Sequence, residues 1–71
     1  MYRFLVVIEK SENNFSAYCP DLPGCIGTGS SRDEVEKNIM EAIELHIRGM
    51  REEKLPIPQG TASAEILAIP A

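Results

Sequence analysis

Between Tyr18 and Gly29 the chain reads Tyr-Cys-Pro-Asp-Leu-Pro-Gly-Cys-Ile-Gly-Thr-Gly, and a helix cannot run through it. Pro20 and Pro23 lack the backbone N–H that a helix interior or a central strand needs, and Gly24, Gly27 and Gly29 disfavour both. The stretch therefore divides the chain. Two strand-like runs precede it and a long helical pattern follows. It holds both cysteines of the protein and no set of residues that could do catalysis together. Such a chain is expected to act by being bound.

The first run, Tyr2–Glu9, is β-branched and aromatic and is bounded by the polar Lys10–Asn14. Tyr2, Phe4, Val6 and Ile8 share one face, Leu5 and Val7 the other. Both faces are apolar at the centre, unlike those of a half-solvated strand. One helix can cover only one face of a small sheet, so a second copy or a partner is expected on the other. Ser11–Asn14 is a turn, and Phe15–Cys19 a second strand that Pro20 ends. Pro23-Gly24 reverses the chain, Pro fixing φ and Gly permitting φ > 0. Cys25–Thr28 is a third strand, weakened by Gly27 and placed at an edge or where another backbone comes close.

Ser31-Arg-Asp-Glu34 reads as a capping box that opens a helix to about Glu53. Val35, Ile39, Ala42, Ile43, His46 and Met50 fall on one face, widened by Met40 and Ile47; Leu45 lies off the stripe. Leu55-Pro-Ile-Pro58 ends the helix. Ala64–Ile69 alternates as a fourth strand, with Ile66 and Ala68 on one face and Leu67 and Ile69 on the other. The expected architecture is α+β: one β-β-β-α-β domain over residues 1–71, sheet order 3-2-1-4, with one helix on one face. The crossover that brings strand 4 beside strand 1 should be right-handed.

Seventy-one residues make a marginal core, and domains of this size usually need a disulfide framework, a metal or oligomerisation. Two cysteines give no disulfide framework, and two Cys with one distant His give no zinc set. Self-association, as a homodimer or larger, is what remains, with Leu5, Val7 and Leu45 as candidate contacts. A net charge of −4 argues against direct DNA or RNA binding and suits a basic protein partner. The apolar run at the N-terminus is too short to span a membrane and lacks a signal-peptide cleavage pattern, so a soluble cytoplasmic protein is expected.

Each residue that could carry chemistry also has a plainer reading. Cys19 and Cys25 are a redox pair or, more in keeping with the missing secretion signal, two buried thiols. His46, inside the apolar arc of the helix, is a general base only if a partner group lies within reach, and otherwise a partly buried histidine that holds a backbone carbonyl or a subunit contact. Asp21 is a catalytic or metal-binding carboxylate, a charged contact for a basic partner, or a turn-forming residue between two prolines. Gly27–Ser31 precedes a helix N-terminus but lacks the lysine of a phosphate-binding loop. The expectation is no catalytic residue, no metal and no cofactor.

Phe15–Gly29, followed by a helix that begins Ser31-Arg-Asp-Glu-Val and carries Asn38-Ile-Met-Glu-Ala-Ile43, resembles the HicB-like antitoxin family. The likeness spans nearly the whole chain and is most specific at Pro20-Asp-Leu-Pro-Gly-Cys25, with Leu55-Pro-Ile-Pro58 in addition. The resemblance implies a fold similar to a partial ribonuclease-H unit without a working nuclease site. It implies an oligomeric protein that neutralises a small basic, mRNA-cleaving HicA-type toxin. Many such antitoxins carry a second, DNA-binding domain; only residues 59–71 follow Pro58 here, so a short form that does not bind operator DNA alone is expected. Asp21, Leu22, Pro23 and Gly24 are the candidate partner contacts. A stand-alone oligomeric regulatory module without a toxin is the alternative.

Overall fold

A computed structural model describes all residues from Met1 to Ala71. Three strands, β1 (Val7–Lys10), β2 (Phe15–Tyr18) and β3 (Ile26–Gly29), precede one helix, α1 (Arg32–Glu52). The strands form an antiparallel sheet in the order β1-β2-β3, with Val7 opposite Tyr18 and Tyr18 opposite Ile26. Strand β1 is shorter than the run that suggested it. Cys19 turns away after β2, so Tyr2–Val6 lacks a partner strand opposite it.

The helix covers the face that carries Val6, Ile8, Phe15 and Ala17. It lies over β3 and β2 more than over β1, because β3 has glycine where the helix comes closest. A Cβ on Gly29 would stand 2.6 Å from the Val35 nitrogen, and one on Gly27 3.0 Å from the Ile39 nitrogen. With no side chains in between, Val35 and Ile39 reach Ala17 and form a core. Both expectations for the third strand are met together: it is an edge strand, and another backbone approaches it closely. Asn38 Nδ2 donates to the Thr28 carbonyl at 2.6 Å and ties the two elements together.

Both helix ends are closed by local hydrogen bonds. The Ser31 hydroxyl accepts from the Glu34 N–H at 3.1 Å. The Glu34 carboxylate reaches back one residue further than a simple capping box requires, accepting from the Ser30 N–H at 2.9 Å. At the other end the Lys54 N–H donates to Arg51 and the Leu55 N–H to Met50, the two bonds of a Schellman motif. Lys54 holds the left-handed position, with φ at 57°.

The fourth strand is a correction. The sheet has three strands, and Ala64–Ile69 lies outside it, with Ile66, Leu67 and Ile69 at least 70 % exposed. Alternation shows that a segment can pack on both faces of a sheet; it does not supply a place in one. In this protomer the tail is held at Ala62 by Asp21, and every residue beyond it is exposed. Met40, expected on the buried stripe, is 64 % exposed, since the sheet beneath it is uncovered.

Two substitutions of the same kind should act in opposite directions. Gly29→Ala forces the helix backbone outward and should cost about 3 kcal/mol. Gly49→Ala enters open space within the helix and should add about 1 kcal/mol. Urea denaturation of the three proteins measures both. Lys54→Gly should also stabilise, by about 1 kcal/mol, by relieving a left-handed residue that has a Cβ; an unchanged midpoint would contradict this account of the cap.

Candidate functional site

The turn after β2 is built from two successive reversals. The Leu22 N–H donates to the Cys19 carbonyl and the Cys25 N–H to the Leu22 carbonyl, each at 3.1 Å; the Cys19 N–H donates to Cys25 across the mouth. Pro23 and Gly24 are the central pair of the second reversal, and Gly24's φ of +88° suits the second central position of a type II turn. Leu22 is the hinge between the two, and its side chain points inward. It is 1 % exposed and packs with Cys19 and Cys25, against Phe4, Ala42 and Ile43. Burial of a leucine on this scale stabilises by about 2 kcal/mol.

This corrects one of the four expected partner contacts. Leu22 is an anchor of the core and cannot meet a partner, whereas Pro23 and Gly24 are exposed above it. Asp21 is half-buried and already engaged: its carboxylate accepts from the Thr61 hydroxyl at 3.3 Å and the Ala62 N–H at 3.2 Å. It thus pins the C-terminal segment across the end of the sheet, where Gly60 lies against the Arg3 carbonyl. Sequence reasoning missed this latch, because nothing local relates Asp21 to a residue forty positions away.

Cys19 and Cys25 are free thiols buried beside Leu22. Burial, and secondarily the neighbouring Cys19, push the Cys25 thiol above its ordinary value of 9.0. His46 is half-buried on the helix, and the structure gives it no hydrogen bond to another side chain. No group of three or more His, Cys, Asp or Glu converges where it could hold a metal. No helix is long and apolar enough to cross a membrane.

The exposed chemistry is largely apolar and occupies two surfaces. On the sheet face away from the helix, Val7, Tyr18 and Ile26 lie side by side across the strands. Tyr18 is 43 % and Ile26 68 % exposed, and half-buried Leu5 lies just before β1, two residues ahead of Val7. On the helix side, an open groove of about 660 Å³ runs between β1 with its N-terminal extension and the helix. Phe4, Val6 and Ile8 form one wall and Ile39, Met40, Ile43 and Ile47 the other. Leu45, also 66 % exposed, sits about 140° around the helix from Met40 and does not line this groove.

A three-stranded antiparallel meander closed by one helix, with apolar surfaces on both sides of the sheet, defines a small α+β fold. Residues 4–71 match the family described as the HicB-like antitoxin of bacterial toxin–antitoxin systems, and the chain belongs to it. A UPF0150 protein of Synechocystis is 36 % identical over 70 residues, covering 97 % of this chain and 89 % of that protein. A UPF0150 protein of Helicobacter pylori is 45 % identical over 49 residues, covering 69 % and 68 %. Among solved structures, a chain of a HicA3 and HicB3 toxin–antitoxin complex superposes with a TM-score of 0.64 at 29 % identity. That match covers 83 % of this chain and 72 % of the other.

The raised Cys25 value predicts an alkaline loss of stability. The folded protein holds the thiol proton more tightly than the unfolded chain does. The contribution is therefore full below pH about 9 and lost as pH rises toward the folded value. Denaturation midpoints taken from pH 7 to pH 10 should fall above about pH 9, and Cys25→Ala should flatten part of that fall.

Proposed function

We propose that this chain is a non-catalytic antitoxin that binds and neutralises a small basic, mRNA-cleaving toxin of the HicA type, and that it does so as a homo-oligomer in the cytoplasm. The observation that carries the reading is its likeness, over most of its length, to a chain of a HicA3–HicB3 complex. The net charge of −4 suits a basic partner. The toxin is met by the exposed Pro23-Gly24 tip, Asp21 beside it, and the row Val7–Tyr18–Ile26 on the uncovered face.

Mixing decides between a toxin antagonist and a module with no toxin. A short basic protein encoded beside this gene should cleave mRNA alone and lose that activity on addition of this chain. Ile26→Asp, on the surface and away from the core, should weaken the complex at least tenfold, about 1.4 kcal/mol. Ribonuclease activity that persists at excess of the intact chain would sink the reading.

A further inference from the structure

The strand that the sheet lacks and the segment that lacks a sheet are matched. Strand β1 is an edge in this protomer, yet it and the residues before it are apolar on both sides: Phe4, Val6 and Ile8 toward the helix, Leu5 and Val7 away from it. Exposed edges are normally short, charged or covered, and this one is bordered by an open apolar groove. The C-terminal arm is apolar on both sides too, through Ile66, Leu67, Ala68 and Ile69, with Glu65 its one charge. Every residue from Ser63 onward is exposed. The long axis of the protomer, 49 Å against 27 and 19 Å, reflects an elongated shape.

We propose that two copies of this chain exchange arms, Ala64–Ile69 of each adding as a fourth strand to the free edge of β1 in the other. The inference rests on the self-association part of the function proposed above and names the device that achieves it. Six extended residues span about 20 Å, the run from Phe4 to Glu9. Alternate side chains of the arm would enter the groove against Met40 and Ile43, and the others would extend the row of Leu5 and Val7. The arm's root favours exchange over folding back: Asp21 holds Thr61 and Ala62 beyond the end of β2, and β2 is the paired side of β1. A reciprocal exchange fills both edges and closes on a twofold axis, which stops growth at the dimer.

Sedimentation of the full chain and of a chain ending at Ala62 tests this. The full chain should run at twice 7.9 kDa and the shortened one as a monomer with unchanged far-UV circular dichroism. Ile66→Asp, at full length, should weaken the dimer at least tenfold. On oxidation, Met40→Cys mixed with Ile66→Cys or with Leu67→Cys should give a covalent heterodimer with one of the two, since adjacent arm residues face opposite sides. A dimer that survives removal of the arm overturns the exchange and leaves self-association standing. A full chain that is monomeric at micromolar concentration overturns both, and leaves the toxin-mixing result untouched. A link that forms only within one chain, in the doubly substituted protein, also overturns it.

Discussion

The fold depends on how closely one helix approaches one strand. Gly29 and Gly27 allow the backbone of α1 to sit against β3 at a separation that no side chain would permit. That approach sends Val35 and Ile39 past β3 to Ala17, which is how a chain of this size obtains a dry centre from a handful of residues. It also sets the helix off-centre. Coverage is spent on β3 and β2, and β1 is left with an open groove. The close approach of α1 to β3 is therefore what leaves the apolar groove along β1 open.

Much of this was legible in the sequence, for reasons that can be named. The helix and its start follow from local chemistry: an amphipathic period, Ser31 as cap, Glu34 in reach. The meander follows from Ser11–Asn14 and Pro23-Gly24, which can hardly be anything but turns. Leu22 was misjudged because it lies among turn residues, and turn residues are usually solvated. Two linked reversals rotate this one inward, and only the Cys19 and Cys25 bonds show it. The Asp21 latch was illegible for a different reason, since it joins distant parts of the chain. The arm was read correctly in its two-sided apolar pattern and wrongly in its place, because strand pattern carries no information about which sheet receives it.

The surfaces available for binding differ in kind. The row Val7–Tyr18–Ile26 is flat and crosses all three strands. The groove is concave and runs along one edge. The charge balance of the helix's outer side, with Arg32 paired to Glu36 at 3.1 Å, contributes little to stability at such exposure. It keeps that side hydrated and leaves association to the apolar regions. The two surfaces lie on opposite sides of the sheet, so occupation of one does not by itself block the other.

Leu22 has a consequence for the exposed tip above it. A loop free in solution loses roughly 1–2 kcal/mol per residue when a partner immobilises it. Here the freezing has already occurred during folding, because the leucine is held in the core and three backbone hydrogen bonds close the turn around it. Pro23 and Gly24 are presented as a fixed knob, and a molecule that fits them meets a shape that is ready before contact. Recognition at this point would then be sensitive to outline more than to adaptability: a partner would have to match the knob, since the knob is already fixed.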